Sequence, residues 1–480
     1  MKCLAVASEI YPLVKTGGLA DVVGALPAAL AGEGVVVRTL VPGYPAIIAR
    51  LGEAREVARY DALLGVPATV LAAYVAGHDL LVLDSPALFA RDGGIYGDAA
   101  GKDWPDNWRR FAALGRVAAD LAEAGVDGWR PDIVHAHDWQ GAMAMAYMRF
   151  GPAAHVPRVL TIHNLSFQGR FGAEIFGWLG LPPESWAMDG IEYYGGVGFL
   201  KAGLISADAI TTVSPTYADE IRRPDDGMGL DGLLDGRADR LHGILNGIDT
   251  DLWNPEADPL LPAPFAARKL DGRMVSRRAV EQAFGLKRDR APLFIVISRL
   301  TWQKGMDLLV EEMDGLVAMG AKLALLGSGD ADLEAAFLAA ADRHRGRVGA
   351  HIGYDEPLSH IMQAGGDAIL IPSRFEPCGL TQLYGLRYGC VPVVARVGGL
   401  ADTVIDANEA AVAAGVATGL HCAPDDAGAL RRAIARAVAL HGDRTTWVGM
   451  QRNGMKADFS WGRSAGRYAA LFADLVKAAG

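Results

Sequence analysis

Short apolar, β-branched runs alternate with amphipathic stripes along the whole chain. In the first half the pattern predicts strands at Cys3–Ala7, Val35–Val41, Asp132–His137, Arg158–Ile162 and Ala209–Val213. In the second half it predicts them at Leu293–Ser298, Lys322–Leu326, Val348–Ile352, Ala368–Pro372 and Val391–Ala395. These runs are continuously apolar rather than alternating, which is the signature of parallel strands covered on both faces. The segments between them carry helical spacing. Met306, Leu309, Val310, Met313, Leu316 and Val317 form one stripe; Tyr468, Leu471, Phe472, Leu475 and Val476 form another. Repeated strand–helix–strand units imply a doubly wound α/β sheet, and here the pattern occurs twice.

A chain of 480 residues is too long for one core, so two α/β domains are expected. The break falls in HGILNGIDTDLWNP, His242–Pro255, a mixture of Gly, Asn, Asp and Pro between two strand-rich halves. The reading is a first domain over residues 1–244, a second over 245–460, and a terminal helix over 461–480. Net charge is -10, which disfavours a nucleic-acid partner, because backbone binding needs a basic surface. Cys3, Cys378, Cys390 and Cys422 show no CxxC spacing and read as reduced thiols. No apolar stretch reaches the ~18–20 residues of a membrane span, and the apolar N-terminal run meets Glu9 too soon for a signal peptide. A cytoplasmic protein without a membrane partner is expected.

Four constellations carry candidate chemistry. KTGGLAD, Lys15–Asp21, follows the first strand and opens a helix. Paired glycines let backbone approach a ligand, and a helix N-terminus favours an anion. A bare Gly-Gly turn reads as an ordinary connection; the lysine before it tips the reading towards a ligand. SRLTWQKG, Ser298–Gly305, follows the first strand of the second half. There Arg299 and Lys304 flank a turn at the strand end where open α/β sheets bind ligands. Two cations so placed suit a diphosphate better than a solvated loop.

SRFEPCGLTQLYGLRYG, Ser373–Gly389, leaves a strand and starts a helix near Thr381. Its backbone N–H groups suit phosphate, and Glu376 suits sugar hydroxyls. The plain alternative is that Glu376 merely complements the helix dipole. HAHDWQG, His135–Gly141, and TIHNLSFQG, Thr161–Gly169, end two further strands. His135 and His137 share a face while Asp138 points away, and no further ligand falls at metal spacing, so no metal site is expected. His163 is a candidate polar contact. Asp249 and Asp251 match a metal-holding carboxylate pair in form, but their place in the interdomain segment reads as turn chemistry. No GxGxxG and no Walker A motif occurs, which disfavours a dinucleotide enzyme or a P-loop NTPase.

Taken in order, Ala7–Asp21, Gly93–Asp98, His135–Gly141, Thr161–Gly169, Asn246–Pro255, Ser298–Asp307 and Ser373–Gly389 resemble the bacterial glycogen synthases and plant starch synthases, glycosyltransferase family five. The resemblance implies a GT-B fold, two Rossmann-like domains facing each other across a deep cleft, with the terminal helix packing back on the first domain. It implies glucose transfer from ADP-glucose to the non-reducing end of an α-1,4-glucan with retention of configuration and with no cofactor.

The resemblance also implies roles. Lys15, Thr16, Gly17 and Gly18 contact the diphosphate and glucose, and Arg299 and Lys304 bind the diphosphate. Glu376 with the backbone of Cys378, Gly379 and Leu380 meets the glucose; Thr381 meets a phosphate. His163 and Asn164 contact the donor glucose, and Asp138 is an essential polar group near the acceptor. Tyr354 lies on the adenine, while Tyr96 and Trp139 form an acceptor platform. The wider clan often carries a second Glu eight residues after the first, and here that position is Tyr384, which leaves ribose recognition unassigned.

The chemistry expected is stabilisation of departing ADP by Arg299, Lys304 and helix N-termini, with same-face attack by the acceptor hydroxyl. A covalent intermediate stays open, with Glu376 and Asp138 as the motif carboxylates to consider. A sugar-nucleotide oxidoreductase or epimerase is the rival enzyme class, weakened by the missing dinucleotide fingerprint. A glucan-binding module is the rival outside catalysis, and the cations at Lys15, Arg299 and Lys304 argue against it, since glucan is neutral.

Overall fold

The computed structural model describes residues 1–480. The chain divides into two compact units, Met1–Gly247 with Trp461–Gly480, and Ile248–Ser460.

In the second unit six parallel strands lie in the order Val348–Ile352, Lys322–Gly327, Leu293–Ile297, Ala368–Ile371, Val391–Ala395 and Leu420–Cys422. Numbered along the chain this is 3-2-1-4-5-6, the doubly wound order, which reverses between Leu293–Ile297 and Ala368–Ile371. The connections on either side of a reversal leave in opposite directions. A crevice therefore opens at the carboxyl ends of those two strands. Arg299 and Lys304 follow the first of them; Glu376 follows the second.

The first unit builds a nine-stranded sheet. Its order is Leu241–Gly243, Ala209–Thr212, Arg158–Ile162, Ile133–His137, Lys2–Val6, Val36–Pro42, His78–Asp84, Val66–Val75 and Arg55–Leu63. All pairs are parallel except the last two, which are antiparallel. The hairpins turn at Leu64-Gly65 and Ala76-Gly77, with positive φ at all four residues. That is the two-residue turn whose twist suits paired strands. The ten strands expected from continuous apolar runs all form, with ends within one residue of expectation. The hairpin strands were not expected: one face is solvated, so Val66–Val75 alternates in burial and Arg55–Leu63 is charged at its edge.

The terminal helix Trp461–Ala479 packs on the helix Gly18–Gly32 through Trp461, Ala465, Tyr468 and Phe472. Ser464 Oγ donates to the Leu245 carbonyl at 2.5 Å. The rings of Tyr468 and Phe472 lie 5.4 Å from that of His135, a buried side chain whose Nε2 is 2.6 Å from Thr161 Oγ1. Burial pushes the His135 pKa down to about 3, and it pushes the neighbouring His137 well down too.

Trp139 does not present the open face expected of an acceptor platform. It is 8% exposed and belongs to the main core of its unit. Phe111 meets it edge-on at 4.9 Å, and Phe171 and Phe199 tilt against it at 5.9 and 6.4 Å. Gly169, at φ 61°, sits so close that a Cβ there would enter the indole. The chain folds over this tryptophan because its large apolar area gains more from burial than from water.

Two predictions follow from this packing. Trp139→Ala lowers global stability by ~3–5 kcal/mol, the cost of an aromatic-sized core deletion, read as a shift of the urea midpoint. A selective loss of glucan use at unchanged stability would contradict the buried assignment. Acidification destabilises the fold through His135. Its folded value lies near 3 against about 6.5 when unfolded, so the unfolded chain binds the extra proton between those values. Stability from this residue is complete above pH 6.5 and falls as pH drops below it, by up to ~1.4 kcal/mol per pH unit. His135→Gln flattens that slope between pH 6.5 and 5 relative to the parent; parallel slopes would contradict the assignment.

Candidate active site

In the second unit, the loops after Leu293–Ile297 and Ala368–Ile371 meet at the reversal point. Lys304 Nζ lies 2.5 Å from Glu376 Oε2, and Ser373 Oγ donates to the same oxygen at 3.0 Å. Glu376 is only 7% exposed. Both bonds fall on Oε2, which leaves Oε1 able to accept from a ligand. Arg299 is exposed at the start of its loop. Gly305 turns the chain at φ 66° and passes against the Pro372 carbonyl, where no side chain fits.

The segment Cys378–Leu380 leads into the helix Thr381–Tyr388, whose N-terminus carries no side-chain cap. Gly379 takes φ 71° there. Backbone N–H groups at this helix start lie beside the Lys304–Glu376 pair. Tyr354 is 75% exposed and its hydroxyl donates to Glu356 at 2.8 Å. Tyr384 stacks on Trp253 at 3.8 Å, and Trp253 stacks in turn on His360 at 3.7 Å. An aromatic stack thus occupies the position where the wider clan carries its second Glu. Asp249 Oδ1 accepts the N–H groups of Asp251 and Leu252, a local turn of the kind its spacing predicts.

In the first unit the candidate residues gather at the ends of Lys2–Val6, Ile133–His137 and Arg158–Ile162. Asp138 begins the helix Asp138–Arg149 at φ 51°, an uncommon conformation for a non-glycine residue. Its Oδ1 accepts the backbone N–H of His163 at 2.7 Å and of Asn164 at 3.5 Å. Burial raises its pKa to about 7, which places the carboxyl at the midpoint of titration near neutrality. His163 Nε2 lies 3.0 Å from His137 Nδ1, and burial lowers the His163 pKa to about 3, so the imidazole is neutral.

Lys15 pairs with Asp21 at 2.7 Å, across the turn that carries Gly17 and Gly18. The residue that fixes this turn is Glu9, to which the motif reading gave no role. Glu9 is 2% exposed; its carboxylate accepts from Thr16 N at 2.5 Å, Thr16 Oγ1 at 2.6 Å and Tyr96 OH at 2.5 Å. The Tyr96 hydroxyl also lies 2.7 Å from Ser8 Oγ, and the ring is half-buried. Tyr96 therefore spends its polar end on an internal contact. A charged residue within three positions of the end of an apolar strand was the available signal for Glu9.

Gly398 and Gly399 were also passed over. Any Cβ at these positions would collide with the carbonyl oxygens of Glu376 and Cys378 respectively. Gly399 N donates to the Glu376 carbonyl at 3.1 Å. Their sequence signal is a repeat: Gly398-Gly399-Leu400-Ala401-Asp402 copies Gly17-Gly18-Leu19-Ala20-Asp21. No group of three or more His, Cys, Asp or Glu residues comes together in a form that could hold a metal ion. No helix is long and apolar enough to cross a membrane. The four cysteines are buried, and no disulfide joins them.

Residues 2–236 match the family model described as starch synthase catalytic domain, and residues 278–451 match glycosyl transferases group 1. The glycogen synthase of Mesorhizobium japonicum is 62% identical over 472 residues, covering 98% of each chain. That of Novosphingobium aromaticivorans is 61% identical over 479 residues, covering 99% of each. Among solved structures, the catalytic domain of starch synthase IV from Arabidopsis thaliana, bound to ADP and acarbose, is 32% identical. It superposes with a TM-score of 0.88 over 99% of both chains. A sucrose-phosphate synthase from Thermosynechococcus elongatus shares the fold, at 18% identity and a TM-score of 0.60. The chain is thus a two-domain glycosyltransferase of the GT-B fold and belongs to the glycogen synthase and starch synthase family.

Proposed function

We propose that this enzyme transfers glucose from ADP-glucose to the non-reducing end of an α-1,4-glucan, in the cytoplasm and without a metal ion. The observation that supports this most is the Lys304–Glu376 pair at the sheet reversal, 2.5 Å apart beside the helix start at Thr381. In this reading Arg299 and Lys304 take the diphosphate. Thr381 and the backbone of Cys378, Gly379 and Leu380 add donors to phosphate and sugar, and Glu376 Oε1 accepts from glucose hydroxyls. Tyr354, exposed, lies on the adenine. Within the first unit, Lys15, Thr16, Gly17 and Gly18 offer donors suited to phosphate and glucose oxygens, His163 and Asn164 offer polar contacts suited to glucose, and Asp138 is the polar group suited to the acceptor. Trp139 has no ligand role here; Tyr96 holds Glu9.

The chemistry follows from where charge develops. When the glucosyl bond breaks, negative charge grows on the distal phosphate oxygen, and fixed cations there stabilise it without reorganisation. The acceptor 4-hydroxyl attacks the face that ADP leaves, so the α configuration is kept, and its proton passes to the departing phosphate. A neutral His163 donates a hydrogen bond without adding charge beside the developing sugar cation.

The direct assay is glucose incorporation into glycogen from ADP-glucose and UDP-glucose in parallel, with and without chelator. Transfer from ADP-glucose persists in chelator; its abolition, with recovery on adding magnesium, would contradict the cation account. Glu9→Gln lowers turnover by ~10–10²-fold while the melting temperature moves little, because Thr16 and Tyr96 lose a shared charged acceptor and the loop drifts. Unchanged turnover would remove Glu9 from the machinery.

A further inference from the structure

Arg374, in the loop that carries Glu376, reaches the segment that carries Lys304 through Asp307 and Trp302, and a third segment through Asp425. Its Nη1 and Nη2 bind Asp307 Oδ1 and Oδ2 at 2.7 Å each, a bidentate fork. Nη1 also donates to the Trp302 carbonyl at 2.7 Å, and Nε to Asp425 Oδ1 at 2.5 Å. The guanidinium covers one face of the Trp302 indole, 4.5 Å from its centroid, while the ring remains 58% exposed. The backbone repeats the link: Arg374 N donates to the Gln303 carbonyl at 2.9 Å, and Gln303 Nε2 reaches the Phe375 carbonyl at 3.4 Å.

Trp302, Gln303 and Asp307 bracket Lys304 in sequence, and Arg374 stands two residues before Glu376. The Arg374 side chain is 10% exposed, while Asp307 is 37% and Asp425 64% exposed, so the fork to Asp307 is the less screened of its two ion pairs. The Asp307 pKa is lowered chiefly by this hydrogen bond, and that of Arg374 is raised by it. The charges here are therefore engaged with one another, and neither is held in reserve for a ligand. A planar guanidinium meets both Asp307 oxygens in a parallel fork while its face covers the indole; an ammonium has no such fork.

We propose that Arg374 is a positioning residue that sets the distance between Lys304 and Glu376 by clamping the loop Thr301–Asp307 to the loop Ser373–Cys378. The inference rests on the reading of Lys304 and Glu376 given above. It goes beyond that reading because Arg374 acts on the reaction only through the two loops it joins. Loss of the clamp lets the loops move apart by a fraction of an ångström to an ångström, a displacement that costs up to ~10²-fold in rate.

The test compares Arg374→Ala, Arg374→Lys, Asp307→Asn and Glu376→Gln with the parent enzyme. It measures turnover, ADP affinity by titration, melting temperature, and turnover with added millimolar methylguanidinium. A positioning role predicts that Arg374→Ala loses ~10²-fold in turnover with little change in ADP affinity. It also predicts that methylguanidinium restores turnover saturably in that variant alone, and that Arg374→Lys stays slow. If Arg374→Ala does not fold, Arg374→Lys and Asp307→Asn carry the same comparison, both slow with ADP affinity kept. Parent-like turnover in the Arg374 variants while Glu376→Gln is slow overturns the inference and leaves the site standing. Equal loss of affinity and turnover, with a lowered melting temperature and no rescue, also overturns it. Parent-like turnover in Glu376→Gln removes the site reading itself, and the inference with it.

Discussion

An ammonium and a carboxylate held 2.5 Å apart, with the carboxylate 7% exposed, set the terms for the second unit. Desolvating such a pair is costly, and the mutual attraction offsets it only when geometry is good and the remaining lone pairs find donors. Lys304 ends a single 3-10 turn, Trp302–Lys304, and Glu376 sits in a loop; both follow parallel strands. The surrounding chain must therefore supply the rigidity. The sheet supplies the first part, because its order reverses between the two strands that launch these loops. The Arg374 clamp and the Ser373 hydroxyl supply the rest.

Close backbone approach is the second constraint. Gly305 passes the Pro372 carbonyl, and Gly398 and Gly399 pass those of Glu376 and Cys378, with no room for a Cβ at any of the three. The first unit uses similar means with different parts. A buried Glu9 gathers Thr16 and Tyr96, and Asp138 in a left-handed conformation gathers the chain at His163. In both units an acidic side chain accepts from a neighbouring loop and so fixes where backbone donors point. Such preorganisation is what lets dipoles stabilise charge without first rearranging.

The parts of the structure readable from sequence are those whose physics is local. Strands buried on both faces are continuously apolar, so Leu293–Ile297 and its parallel neighbours stood out. Residues 55–84 did not, because an antiparallel hairpin with one wet face mixes Arg, Glu and Asp into its strands. Residue type and position after a strand singled out Lys304 and Glu376 as candidates, but their 2.5 Å contact joins residues 72 apart and was not readable. Glu9 and Arg374 were not singled out, since their function lies in partners 87 and 51 residues away. The burial of Trp139 was not readable, because aromatic character is visible in a sequence while its enclosure by Phe111, Phe171 and Gly169 is not.

The central claim is that Lys304 acts on the leaving group rather than only holding the donor. A cation that gains interaction energy as charge moves onto the phosphate oxygen raises turnover; one that binds ground state and transition state equally does not. Lys304→Gln keeps length and a donor while removing the charge. Steady-state kinetics with ADP-glucose, alongside an ADP-binding titration, separates the two. The account predicts a turnover loss of ~10²–10³, about 3–4 kcal/mol, with a smaller loss of ADP affinity. A raised Michaelis constant with turnover intact would contradict it.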